Sequence, residues 1–210
     1  MDDHAARCRA IIRACPWLMA ALATVRVTLP QPAWIGAGAI RSAVWDALHG
    51  FTPQPPASDI DVVYFDAGAP RGEHLLEAAL RQRAPHVAWD VTNQAGVHLW
   101  YEQAFGRAIA PLRSLEEGIA TWPETATAVA ARLVRDDDIE LLAPLGLDDL
   151  MGMIVRWNPA LVTADQYLQR IEARHFQRRW PKVCVLPPWA QISASAFTCA
   201  TTLRPSADRL

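Results

Sequence analysis

Apolar residues along the chain follow helical spacing in some stretches and strand-like runs in others. Near the amino terminus they recur at positions 5, 8, 12, 15, 19 and 22. Pro16 divides this stretch into two predicted helices, because proline fits the first turn of a helix. The run 33–35 predicts a short strand, and the spacing of apolar positions 40, 44, 47 and 48 predicts a helix that ends at Gly50.

Capping residues, β-branched content and spacing predict seven further elements. They are helices at 73–83, 114–122, 147–155 and 163–180 and strands at 87–92, 127–134 and 139–142. The sequence thus predicts an α/β (α+β) fold with a short mixed sheet flanked by helices and a small helical C-terminal part. We expect a core at 1–145 that includes the N-terminal helices, a helical part packed on it at 146–186, and a loosely ordered tail at 187–210.

Two carboxylates lie two residues apart in the run Ser58–Phe65, which is otherwise apolar and β-branched and predicts a buried strand. Because side chains alternate across a strand, Asp59 and Asp61 point to the same side. Two like charges near a core repel each other and lose hydration, and a divalent cation such as Mg²⁺ removes both problems. The alternative interpretation is a solvent-facing strand start with two ordinary acids.

A glycine-rich turn, Gly36–Ala37–Gly38, follows the first predicted strand and opens the next helix. Glycine lets the backbone approach a phosphate closely, and a helix N-terminus offers unpaired N–H groups. Arg41 lies in the first turn and can reach the same anion. Taken singly, the glycines are better explained by a plain tight turn, and Arg41 by a solvated helix residue. Together with the downstream carboxylates they predict one site, a phosphate cradle beside a metal.

These motifs resemble the polymerase-β-type nucleotidyltransferase superfamily, including the tRNA CCA-adding enzymes. A closer resemblance is to a family of small bacterial nucleotidyltransferase proteins of unknown substrate. The matching segments are Gly36–Arg41, Val44–Asp46, Ser58–Asp66, Asn93–Ala95, His98–Tyr101, Trp122–Val129, Ala143–Leu150 and Arg179–Lys182. One departure is Gly96–Val97, where family members often carry Arg–Met before the histidine, and this implies altered substrate contacts.

The resemblance implies two-metal transfer of a nucleotidyl group from an NTP, with Mg²⁺ or Mn²⁺ as cofactor. Asp59 and Asp61 would hold one metal against the phosphates. Asp90, in a predicted strand, is the candidate third ligand, although a partly exposed edge residue is an equal alternative. The predicted nucleotide-binding residues are Gly36, Ala37, Gly38 and Arg41. The acceptor is a small molecule, an RNA or a protein.

Two other functions remain open. A protein of this fold could bind nucleotide as a regulatory module without catalysis. It could also be a toxin-type enzyme that transfers a nucleotidyl group to RNA or protein. Turnover of an NTP that depends on Asp59 and Asp61 separates the first alternative from catalysis.

Several side chains have two interpretations. A basic group forms either a solvated helix face or a cationic wall for a triphosphate or RNA, and comprises Arg170, Arg174, Arg178 and Arg179. An aromatic group stacks on a base or packs in the core, and comprises His98, Trp100 and Tyr101. Asn93 and Gln94 read a base edge or ribose, or cap backbone groups. Glu124 has no role that the sequence explains.

Composition indicates an ordinary globular chain of 210 residues, 51% hydrophobic and 20% charged. A net charge of −2 gives no overall attraction to nucleic acid. The four cysteines lack metal-type spacing and are expected to be reduced thiols. No apolar run approaches the length of a membrane span, and the acidic N-terminus is unlike a signal sequence, so we expect a cytoplasmic protein.

Overall fold

The computed structural model describes residues 2–69 and 71–192. Within them the helices are α1 (Asp2–Arg13), α2 (Pro16–Thr28), α3 (Ala37–His49), α4 (Glu73–Arg83), α5 (Tyr101–Phe105), α6 (Leu115–Ala120), α7 (Asp148–Met151), α8 (Ala164–Arg174) and α9 (Phe176–Arg179). The strands are β1 (Trp34–Gly36), β2 (Ile60–Tyr64), β3 (Trp89–Asn93), β4 (Ala130–Leu133), β5 (Ile139–Leu142), β6 (Ile154–Val155) and β7 (Cys184–Val185).

Four pairings among β1 to β5 produce one mixed sheet with the order β3-β2-β1-β4-β5. β2 and β3 are parallel, and the other neighbours are antiparallel. The predicted α/β class with a mixed sheet is therefore confirmed. The parallel register places Asp61 directly opposite Asp90.

The two faces of the sheet differ because side chains alternate along each strand. Ile35, Val62 and Val91 point to one face and belong to the main core, together with apolar residues of α1 to α4. The other face carries the carboxylates and a smaller apolar cluster around Trp34 and Val63. One face is thus packed, and the other is left partly open.

The helices α1 and α2 are separated at Pro16, which occupies the first turn of α2 as predicted. Among the described residues no single helix is long and apolar enough to cross a membrane. Taken together, α1 and α2 satisfy that criterion by length and composition, but they meet at 90°. Cys8, Ile12 and Leu22, on these helices, are buried in the main core.

The C-terminal part differs from the prediction in two places. The predicted helix 147–155 ends at Met151, and β6 follows it and pairs in parallel with β7. The predicted helix 163–180 is interrupted at His175, whose φ of 46° is left-handed and cannot continue a helix. Residues 193–210 of the predicted tail lie outside the described residues, whereas 188–192 form a 3₁₀ turn. The proposed division into domains stays a prediction.

Candidate active site

A cleft of about 840 Å³ lies over the open face of the sheet. Its floor comes from β2 and β3, and one wall comes from the start of α3. The opposite wall comes from α8, and the segment 97–105 closes the far end. Every predicted site residue except Gly36 lines this cleft.

The carboxylates form a row at the end of the floor nearest α3. Asp61 is half-buried in β2 beside Asp90 of β3, and Asp59 is exposed just before β2. None of the three makes a hydrogen bond or ion pair within the described residues. Burial raises the pKa of Asp61 to about 6, with further increases from the charges of Asp90 and Asp59. Burial and the charge of Asp59 also raise the pKa of Asp90.

The chemistry of this row fits a hard divalent cation. Carboxylate oxygens are the ligands that Mg²⁺ and Mn²⁺ prefer, and a cation would offset the repulsion that raises these pKa values. Across residues 2–69 and 71–192, no three His, Cys, Asp or Glu side chains are already gathered closely enough to hold an ion. The carboxylates would have to come closer together to hold a cation.

The turn between β1 and α3 has a strained backbone. Ala37 has a φ of 49°, which is unusual for a residue with a Cβ, and its N–H donates to the carbonyl of Val129 at 3.0 Å. A Cβ at Gly36 would lie 2.4 Å from Cη2 of Trp122, so glycine is required there by packing rather than by a ligand. A Cβ at Gly38 would meet only Nη2 of Arg41, at 3.7 Å, and would otherwise project into open space.

Arg41 is buried beside this turn and has no carboxylate partner in the described part of the chain. Its guanidinium lies 5.2, 4.9 and 5.0 Å from the ring centroids of Trp45, Phe176 and Trp180. Its Nε has no hydrogen-bond partner. Burial lowers the pKa of Arg41 to about 10, against the opposing effect of the Glu124 charge, so it remains a cation at neutral pH without a direct ion pair.

Two further arginines, Arg170 and Arg174 of α8, face the cleft from the opposite wall, and their charges act to lower the pKa of Asp61. Both line the cleft, and the choice between a solvated face and a wall for a triphosphate stays a prediction. Arg170 also pairs with Glu124, whose side chain is 1% exposed and accepts a second hydrogen bond from Thr127 Oγ1 at 2.7 Å. This role of Glu124 could not be predicted from local pattern, because its partner is distant along the chain.

The far end of the cleft contains two of the three predicted aromatic residues. Trp100 and Tyr101 line it, whereas His98 does not. Asn93 caps the backbone, since its side chain bonds Asp66 and Ala69. Gln94, by contrast, lines the cleft.

The sequence profile of the nucleotidyltransferase family matches residues 23–185, which is most of the chain. The chain belongs to this family. No curated protein matches it.

Solved structures share the fold. A structure described as a CCA-adding enzyme head domain superposes with a TM-score of 0.68 at 27% identity, and the match covers 85% of this chain and 94% of that one. A CCA-adding enzyme in its apo form gives 0.53 at 15% identity, covering 87% of this chain and 43% of that one. A CCA-adding enzyme in complex with ATP gives 0.50 at 14% identity, covering 84% and 41%. At these last two identities only the fold is similar, and the chain spans less than half of either protein.

Proposed function

We propose that the protein is a Mg²⁺-dependent nucleotidyltransferase that moves a nucleoside monophosphate from an NTP to an acceptor hydroxyl. The observation that carries this proposal is the distribution of charge in one cleft. A row of carboxylates without partners lies on the floor, and three arginines line the walls around it. This pairing of charges is suited to a metal-bound triphosphate, which presents a cation to the acids and anionic oxygens to the arginines.

The carboxylates of Asp59, Asp61 and Asp90 would hold the metal ion, either Mg²⁺ or Mn²⁺. When bound, the metal would supply charge stabilisation to the phosphates and activation of the attacking hydroxyl. Arg41 would pair with phosphate oxygens from its aromatic surroundings, where desolvation strengthens the interaction. The space above Gly38 lets phosphate approach the backbone of α3 closely.

Arg170 and Arg174 would bind the phosphates from the opposite wall. Because Glu124 already accepts from Nε of Arg170, that side chain is held in position and its Nη atoms remain available to the ligand. The ATP complex of a CCA-adding enzyme with the same fold supports an NTP as substrate.

The test is transfer of label from the α-phosphate of an NTP. The purified protein is incubated with each of the four NTPs, Mg²⁺ and a cell extract that supplies acceptors, and pyrophosphate release is followed in parallel. We expect transfer that is lost on chelation of Mg²⁺ and in the double variant Asp59→Ala, Asp61→Ala. The control is Asp136→Asn, which removes an exposed acid far from the cleft.

A different outcome would favour the nucleotide-binding module. Tight NTP binding without turnover, unaffected by Mg²⁺ or by the double variant, would show that the carboxylates do not take part in catalysis. The label itself identifies the acceptor class, because it appears on a small molecule, on RNA or on protein.

A further inference from the structure

The floor of the cleft changes from charged to uncharged along β2 and β3. The register places Asp61 beside Asp90 at one end and Val63 beside Thr92 one step further along. Gln94 follows, four residues beyond Asp90, which corresponds to about 13 Å at ~3.3 Å per residue. The charged lining residues are the three aspartates, Arg41, Arg170 and Arg174, and the lining residues between 94 and 105 are uncharged.

Gln94 is the polar group that the far end leaves without a partner. Its residue is 5% exposed, and its side chain makes no hydrogen bond within the described residues. A primary amide carries two donor hydrogens and an acceptor oxygen, and a buried amide without partners is unfavourable. Since Gln94 lines the cleft, a ligand in the cleft can supply both kinds of partner.

Helix α6 holds this amide in place. A Cβ on Gly118 would lie 2.6 Å from Oε1 of Gln94 and 3.0 Å from its Cβ and Cγ. The backbone of α6 therefore packs directly on the Gln94 side chain, and only glycine permits this approach. The amide oxygen lies against α6, and the Gln94 side chain as a whole lines the cleft.

An exposed aromatic surface lines the same cleft as Gln94. Trp100 and Phe105 are 41% and 50% exposed, and their ring centroids are 6.4 Å apart. Tyr101 lies 6.2 Å from Trp100 and is fixed by a hydrogen bond from its hydroxyl to the carbonyl of Leu161 at 2.9 Å. Exposed rings on a fixed support suit the faces of a planar ring, and the neighbouring amide suits its edge.

We propose that Gln94 and Trp100 form the base-recognition site for the NTP, in which the base stacks on Trp100 and its edge pairs with the Gln94 amide. This rests on the proposed function, which places the triphosphate at the acidic end. The ribose then lies over Val63 and Thr92, and the distance along β3 is one that a nucleoside can span. The ligand is a base with an adjacent donor and acceptor on one edge, and adenine is the base that glutamine pairs with through two hydrogen bonds.

The experiment compares nucleotide binding with the binding of tripolyphosphate, which has the phosphates but no base. Dissociation constants for the four NTPs and for tripolyphosphate are measured by calorimetry in Mg²⁺ with the full chain. In Gln94→Leu and in Trp100→Ala we expect ATP to bind about tenfold more weakly, with tripolyphosphate unchanged. Matched controls are Gln103→Leu and Trp189→Ala, which alter an exposed glutamine and an exposed tryptophan outside the cleft.

Gly118→Ala perturbs the Gln94 amide from the side of α6, and Gly118 itself does not line the cleft. The added methyl displaces the Gln94 side chain, so we expect the ATP affinity to fall and the differences among the four NTPs to shrink. The proposal is overturned if ATP binds no better than tripolyphosphate to the wild type. It is also overturned if the Gln94 and Trp100 variants bind every NTP as the wild type does, even where they raise KM for the acceptor. Failure of the wild type to bind either probe would instead reject the proposed function.

Discussion

Two regions that both include residues of helix α3 differ in whether their acidic side chains have hydrogen-bond partners. At the junction of α3 with α9, the buried carboxylate of Asp46 accepts hydrogen bonds from Trp180 Nε1 and Arg179 Nη2, both at 2.8 Å. In the cleft, the carboxylate of Asp61 has no such partner, and the residue opposite it on the neighbouring strand β3 is another acid, Asp90. One acid is satisfied by the fold, and the other is not.

The difference separates charged groups that are paired within the protein from charged groups that have no partner in the described residues. Buried polar groups are nearly always paired, so a group without a partner calls for an explanation. Arg41 shows the contrast within one helix. It lies five positions before Asp46 in α3, and its guanidinium packs on the rings of Trp45 and Trp180. It nevertheless makes no ion pair within residues 2–69 and 71–192. Paired charges hold α9 on the core, whereas Arg41, Arg174 and the carboxylates of the cleft floor make no ion pair within the described residues.

The largest effect is expected where a satisfied charge loses its partner. Arg179→Met leaves the buried Asp46 carboxylate without its cation, and we expect the free energy of unfolding to fall by about 3 kcal/mol. Urea denaturation measures it. Arg178→Met is the matched control, because Arg178 is exposed on the same helix and we expect a change within about 0.5 kcal/mol. Equal losses in the two variants would contradict the structural role of the Asp46 pair.

The second effect is a difference in stability between alanine variants of Gly36 and Gly38, two glycines of the same predicted turn. Gly36→Ala forces the ring of Trp122 to move, because the new Cβ would lie 2.4 Å from it, and we expect a loss of about 2 kcal/mol in stability. Gly38→Ala meets no such obstacle and should stay within about 1 kcal/mol of the wild type. Its methyl enters the cleft, so tripolyphosphate binding should weaken instead. If Gly36→Ala left stability unchanged, packing would not explain that glycine.

The third effect has the opposite sign, because removing an unsatisfied charge should stabilise the protein. Asp61 has an ordinary pKa of 3.8 when unfolded and about 6 when folded, so the folded state binds more protons between these values. Stability is therefore lost as the pH rises through this window. Asp61→Asn removes that penalty, and we expect a gain of about 1–2 kcal/mol at about pH 7.5 without metal.

The pH dependence is the check on this third prediction. The gain in Asp61→Asn should shrink toward zero below about pH 3, where the wild-type carboxyl is largely protonated in both states. Asp136→Asn, on an exposed turn, should show no such trend. A stabilisation that is independent of pH would show that the charge of Asp61 is not its cause.

The sequence predicted the elements that depend on local spacing. The strand, turn, helix and acidic strand between 33 and 65 follow from apolar periodicity and from Gly50, and the structure contains them. Alternation also placed Asp59 and Asp61 on one side of β2, and both line the cleft. Their roles as metal ligands stay a prediction, because register and exposure locate a side chain without showing what it binds.

Contacts between segments that are far apart along the chain could not be predicted from the sequence. The pairing of β6 with β7 joins two strands of two residues each, which are too short for any periodic signal. The break at His175 needs a left-handed residue that local propensity does not indicate. Arg170 and Glu124 lie 46 positions apart, so only the fold shows that the predicted basic helix has one member bound to a buried acid.

The smallest effect concerns Arg174, which lines the cleft and for which we propose a role in binding phosphate only. It is exposed and makes no ion pair in the described part of the chain, so Arg174→Met should leave stability within about 0.5 kcal/mol. We expect tripolyphosphate to bind about two- to fivefold more weakly, with the difference decreasing as salt is raised. Arg170→Met should lose binding and stability together, because it also leaves Glu124 buried without its cation. If Arg174→Met lost stability as well, or if Arg170→Met kept it, the division between structural and ligand-binding charges would not hold on this wall of the cleft.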